Sequence, residues 1–142
     1  LFAQVLFQSP MVVCASESYI QKHGEPKIPQ DLVSHNCLRY HFPAVRNNWI
    51  FRVGSQQETI HVDGNFSASK AYALKKSAMA GQGVVRLPDF IVESAIRDGR
   101  LKPLLSSYAI ESADVSVVYS ARDLLAPQAR LMIDYLVDYF SS

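Results

Sequence analysis

The sequence predicts a layered α/β fold, and three observations carry that prediction. Short β-branched or alternating apolar runs recur along the chain, at Met11–Ala15, Cys37–Tyr40, Trp49–Val53, Thr59–Phe66, Val84–Leu87, Leu101–Leu105 and Asp114–Ser120. Helix patterns with their own start and stop residues lie between most of them, and strands alternating with helices imply helices layered on a sheet. The 142 residues, about half of them apolar, suffice for one core or two small lobes.

The elements follow in order. Met11–Ala15 (MVVCA) reads as a buried strand. Ser16 offers a hydroxyl to cap a helix from Glu17 to His23, and Gly24 ends it. Pro29–His35 is a short helix with Pro29 in its first turn. The runs Trp49–Val53 and Thr59–Phe66 alternate around a Gly-Ser-Gln-Gln turn and form a hairpin. A helix then runs from about Lys70 to Ala80, with Ser69 placed to cap it. Pro88 opens the next helix, which carries Ile91, Val92, Ala95 and Ile96 on one face and stops before Gly99. The last helix begins at Pro127. Its residues Ala129, Met132, Ile133, Leu136, Val137 and Phe140 form one apolar stripe.

Composition excludes several classes of function. The formal net charge is +1, from 14 basic and 13 acidic residues, with no block of Lys or Arg. That is no electrostatic footprint for nucleic acid. No apolar run approaches the roughly 20 residues of a membrane span, and the first residues do not read as a signal peptide. Cys14 and Cys37 sit in apolar runs and make no disulfide framework, which points to a reducing compartment.

The Gly81-Gln-Gly83 pair invites a phosphate-loop reading, but such a loop follows a strand and opens a helix. Here the order is reversed, the third glycine is missing, and no Lys-Ser/Thr follows. Gly81 reads instead as a helix C-terminus, and Gly83 as a place of close backbone approach. His35, Cys37 and His41 cluster in HNCLRYH. Structural zinc uses four ligands, and no second knuckle exists, so no metal is expected. A nucleophilic Cys37 with a nearby His is one reading; a buried structural Cys is the other. Asp63, Asp89, Glu93 and Asp98 show no acid–base grouping, and neither catalysis nor a cofactor is expected. NFSASK (Asn65–Lys70) joins a strand end to a helix start, with Ser67, Ser69 and Lys70 at hand. Free N–H groups and the positive end of the helix dipole suit a small carboxylate there. Ordinary capping by Ser69 alone is the competing reading.

The order of motifs resembles the effector-binding domain of LysR-type transcriptional regulators. In that family a strand is followed by Ala-Ser-Pro-x-Tyr-Leu, then Gly-x-Pro, Pro-x-Asp-Leu and His-x-Cys-Leu. The chain has Ala15, Ser16, Tyr19, Gly24, Pro26, Pro29, Asp31, Leu32, His35, Cys37 and Leu38 in those places. Trp49 and Phe51, SAMAGQGVVRLPDF, GRLKPLL and APQARLMIDYL extend the resemblance over nearly the whole chain.

The resemblance implies a two-lobe, type 2 periplasmic-binding-protein-like α/β fold, one lobe nearly complete and the other partial. Residues 1–10 would be a crossover and part of lobe I, 11–109 lobe II, and 110–142 the second crossover and the rest of lobe I. It further implies a cytoplasmic regulator that senses a small effector between its lobes and forms homodimers or tetramers. DNA would be bound only through a winged helix-turn-helix expected upstream of Leu1. The effector residues carried over are Ser67, Ala68, Ser69 and Lys70. The family often has Ser-Asn-Asp at the last three of these positions, and Lys70 in place of the acid points to an anionic ligand. A fragment of a periplasmic solute-binding protein, which shares the two-lobe design, is the alternative.

Overall fold

The computed structural model describes the backbone at residues 2–41, 47–110 and 112–119, and at 128, 131, 132, 134 and 135; side chains are described from residue 9 on, except at 42–46 and 109–119. The chain divides into two compact units, one of Pro10–Glu111 and one of Leu1–Ser9 with Ser112–Ser142.

β1 (Phe2–Ala15) runs through both units, and the larger one is built on its part from Pro10 on. The sequence marked only the last five residues of β1, because Pro10 interrupts the apolar pattern. Pro10 has no N–H to give, and ladder pairing with β6 starts one residue later at Met11. β1 lies between β6 (Val85–Pro88) and β7 (Lys102–Leu104), antiparallel to both, with Val13 opposite Arg86 on one side and Leu104 on the other. Successive residues of β1 feed opposite cores, since strand side chains alternate. Val13 and Ala15 enter one cluster with Tyr19, Leu32, Cys37, Trp49, Phe51 and Val84. Cys14 enters the other with Leu38, Leu74, Ala78, Val85, Leu87, Val92 and Ala95. A strand buried on both faces has no polar alternate positions, which is why MVVCA is continuously apolar.

Three further sets of elements flank this sheet. α1 (Glu17–His23) starts at Ser16, whose Oγ accepts from the Tyr19 N–H at 3.2 Å, and is followed by Gly24. Pro29–Ser34 forms a 3-10 turn rather than an α-helix. One carboxylate oxygen of Asp31 accepts from the N–H groups of Lys27 and Ile28 and pins the chain before it. β2 (Arg39–Tyr40) pairs in parallel with β5 (Ser67–Ala68). β3 (Asn48–Val53) pairs with β4 (Gln56–His61) and with β8 (Ala109–Ile110). The hairpin turn is two residues, Gly54-Ser55, not four, because Val53 pairs directly with Gln56. Gln56–Thr59 is exposed and polar, so it carries no apolar alternation to read.

α2 (Ala71–Met79) and α3 (Asp89–Arg97) cover the second core cluster through Leu74, Ala78, Val92 and Ala95, with Ile91 and Ile96 packed against it. Burying a side chain such as Leu74 contributes roughly 1.5–3 kcal/mol. α2 ends as the glycine pair predicts. Gly81 has φ 82°, its N–H donates to Ala78 O at 3.0 Å, and the Gln82 N–H donates to Ser77 O at 3.1 Å. Those two bonds are a Schellman stop. A Cβ at Gly83 would run into the Asn36 carbonyl oxygen, so only glycine fits there.

In the smaller unit, β9 (Ser112–Tyr119) pairs with β1. Gln128, Leu131, Met132, Asp134 and Tyr135 are helical, and Leu131, Met132 and Tyr135 are exposed. Apart from Met132, the predicted stripe Ala129, Ile133, Leu136, Val137 and Phe140 lies outside the described residues, as does Pro127.

Candidate functional site

The segment Ser67–Lys70 sits where a parallel strand pair gives way to a helix. Arg39 lies opposite Ser67 and Tyr40 opposite Ala68. The ladder is held by the Arg39 N–H on Phe66 O at 3.2 Å and the His41 N–H on Ala68 O at 2.8 Å. Both strands end at the same edge, so His41 on one side meets Ser69 and Lys70 on the other. In α/β folds, ligands favour the carboxyl ends of parallel strands. Ser67 and Ala68 are half-buried, whereas Ser69 and Lys70 are exposed.

The expected Ser69 cap is not made. The N-cap position falls one residue later, on Lys70, with extended backbone and no side-chain bond to the helix. Lysine has no side-chain oxygen to accept an N–H, so α2 starts uncapped. The first-turn N–H groups of a helix have no intrahelical acceptor, and negative charge is favoured beside them. No acidic residue occurs from Phe66 to Lys76.

Two neighbours of this junction were not legible as such in the sequence. His41 is exposed at the strand edge, its Nδ1 3.4 Å from Ser67 Oγ. Arg39 ties the loop before β5 by an ion pair to Asp63 at 3.2 Å and by donation to Gly64 O at 2.8 Å. Arg39 lies on β2 and His41 just beyond its end, and only the pairing of β2 with β5 brings them beside Ser67.

Asn36 is the second omission. Its Nδ2 donates to Asn65 Oδ1 at 2.9 Å and to Gln82 O at 2.8 Å, while its Oδ1 accepts from the Asn65 N–H at 2.8 Å. Its carbonyl accepts from the Val84 N–H at 2.9 Å. One side chain thus joins the loop that leads into β5 to the turn that leaves α2.

The three groups of HNCLRYH part company. His35 Nδ1 stands 2.7 Å from the Tyr19 hydroxyl, which also accepts from the Asn36 N–H at 3.3 Å. Burial lowers the pKa of His35 below the usual histidine value; the Asp31 charge opposes that shift, and His23 adds to it. Cys37 is fully buried, its Sγ 3.7 Å from Leu32 O. Burial pushes its thiol up to about 12, and the same holds for Cys14. A thiol held in that state is no nucleophile near neutral pH. Both cysteines are free, and among the described residues no three His, Cys, Asp or Glu are grouped to hold a metal ion. Of the acids, Asp63 pairs with Arg39 and Asp98 with Arg100, while Asp89 lies in the first turn of α3. No described helix is long and apolar enough to cross a membrane.

A layered α/β domain with a strand-to-helix junction, and with no catalytic grouping among the described residues, is the class these features define. The chain belongs to the LysR family of transcriptional regulators, and residues 1–141 match the LysR substrate binding domain. Its fold is accordingly the type 2 periplasmic-binding-protein-like fold. Among similar proteins is the HTH-type transcriptional regulator CrgA of Neisseria meningitidis serogroup B, 32% identical over 139 residues, covering 97% of this chain and 46% of CrgA. The HTH-type transcriptional activator AaeR of Escherichia coli K12 is 32% identical over 143 residues, covering 99% of this chain and 45% of AaeR. The solved CrgA regulatory domain superposes with a TM-score of 0.88 at 31% identity, covering 98% of this chain and 68% of that one. The chain spans about half the length of the curated relatives it matches. These relatives are named as regulators, so the comparisons favour neither the solute-binding alternative nor an enzyme.

Proposed function

We propose that the chain senses a small anionic effector for a cytoplasmic, homo-oligomeric LysR-type regulator, and that the effector binds at Ser67, Ala68, Ser69 and Lys70. Residues 11–109 form lobe II in this reading, and residues 1–10 and 110–142 belong to lobe I. Effector binding shifts the population between two arrangements of the domain and so changes how DNA-binding parts outside this chain engage a promoter.

The observation that carries the anionic part is the uncapped start of α2, with Lys70 as N-cap and His41 on the neighbouring strand end. The helix end favours an anion by about 0.3–1 kcal/mol, and up to roughly 2 where the geometry is partly buried. An exposed Lys adds roughly 0.2–1 kcal/mol. Those terms set specificity, and the remaining affinity must come from apolar and hydrogen-bonding contacts.

The test is a thermal-shift screen of the full-length protein against small mono- and dicarboxylates, followed by a promoter-reporter assay with any hit. Substituting Ser69→Ala together with Lys70→Ala should weaken both responses while the unliganded melting temperature stays within a few degrees. An undiminished response removes these four residues from the reading.

A further inference from the structure

α2 and α3 leave a groove of about 220 Å3 on the outside of the second core cluster. From α2 it takes Tyr72, Lys75, Lys76 and Met79, which recur at i, i+3, i+4 and i+7 and so share one face. From the α3 side it takes Ser94 and Ala95, with Arg100 just beyond the helix. Three cations therefore line one small groove, and among the described residues no carboxylate does.

That concentration of charge is not a by-product of a basic chain, because the net charge is only +1. α2 itself contains no acidic residue. Among the described residues, neither Lys75 nor Lys76 has an ion-pair partner, while Arg100 meets Asp98 at 3.2 Å on the open surface. Both ammonium groups lie over the same ring, 5.9 and 5.0 Å from the centroid of Tyr72. Cation–π attraction accounts for one lysine there, yet the two like charges repel, and a multiply charged anion set between them relieves the repulsion. The helix C-terminus favours Lys76 in its last turn; it gives no such reason for Lys75.

The size and lining of the groove narrow the ligand. Its volume lies below the roughly 300 Å3 at which drug-sized pockets begin. Buried Ala95 and half-buried Met79 give it an apolar side, and Ser94 brings a hydroxyl donor. Lysines bind phosphate as point charges, and an Arg fork binds it in two-pronged fashion. Three cations with one hydroxyl match a dianion or trianion better than a single carboxylate.

We infer that the α2–α3 groove is a binding site for a small phosphate-bearing ligand, a phosphomonoester or diphosphate. It shares no residue with Ser67–Lys70, and it stands or falls apart from the effector reading.

Isothermal titration calorimetry of the full-length protein with inorganic pyrophosphate tests it, with ionic strength held constant by chloride and sulfate titrated in parallel. The expected result is saturable binding of one pyrophosphate per chain, tighter than sulfate. Lys75→Gln with Lys76→Gln should weaken it by about tenfold or more, and Gln keeps nearly the helix propensity of Lys, so α2 is retained. Ser69→Ala with Lys70→Ala should leave it unchanged. Absence of saturable heat, equal affinity for sulfate, or undiminished binding by the double Gln variant would each overturn the inference.

Discussion

Replacing Asn36 by alanine removes three side-chain hydrogen bonds at once, two to Asn65 and one to the Gln82 carbonyl. A typical intramolecular hydrogen bond contributes about 1 kcal/mol net, so full loss amounts to about 3 kcal/mol. The side chain is partly exposed, and water recovers some of that, which brings the expected loss to about 2 kcal/mol. A domain of this size holds about 5–15 kcal/mol in all, so the loss should be plain in a urea unfolding curve as a lower midpoint at unchanged slope. Asn65→Ala removes only the Nδ2–Oδ1 bond and should cost about 1 kcal/mol. In the double variant the two losses should fall short of additive, because that bond is shared. If Asn36→Ala moved stability by less than about 0.5 kcal/mol, as an ordinary surface change does, Asn36 would not be the strut described above.

Other outcomes follow from the same structure. Lys70→Ser supplies the missing N-cap oxygen and should stabilise the protein by about 1 kcal/mol in the same assay, while removing the cation from the proposed effector site. His35 has its pKa lowered by burial from an ordinary value of 6.5. The unfolded chain therefore binds the proton more readily than the folded one. That contribution to stability is complete above pH 6.5 and is lost as pH falls through the lower folded value. The melting temperature should drop across that window, and His35→Gln should flatten the drop. Cys14 and Cys37, with thiols at about 12, should react with a disulfide reagent at pH 8 only after unfolding. Rapid labelling of the native protein would contradict their burial.

Local chemistry was the part of this fold that the sequence made readable. Ser16 and Gly81 announced a helix start and a helix stop, because capping depends on the residues next to it. MVVCA announced a strand buried on both faces, because neither alternate position tolerates a polar group. Ser69 misled, since a hydroxyl near a helix start does not fix which residue takes the N-cap place. The junction does lie between a strand and a helix, but the strand is Ser67–Ala68, whereas the run expected to lead into it, Thr59–Phe66, is in strand only as far as His61. The junction's neighbours Arg39 and His41 were not legible, because they arrive through the parallel pairing of β2 with β5, whose partners lie 28 residues apart in the chain (Arg39 with Ser67). Asn36 was invisible for the same reason. Its partners Asn65 and Gln82 are distant, and a lone Asn between His35 and Cys37 reads as loop.

The central claim is that the β5–α2 junction reads an anion. Its most direct test is the change in effector affinity, by calorimetry on the full-length protein, between the native sequence and Lys70→Asp. Restoring an acid at that position places a negative charge where the ligand's own would sit, so affinity for an anionic effector should fall by about tenfold or more, with the melting temperature unchanged or higher. Equal or tighter binding by Lys70→Asp would contradict the account.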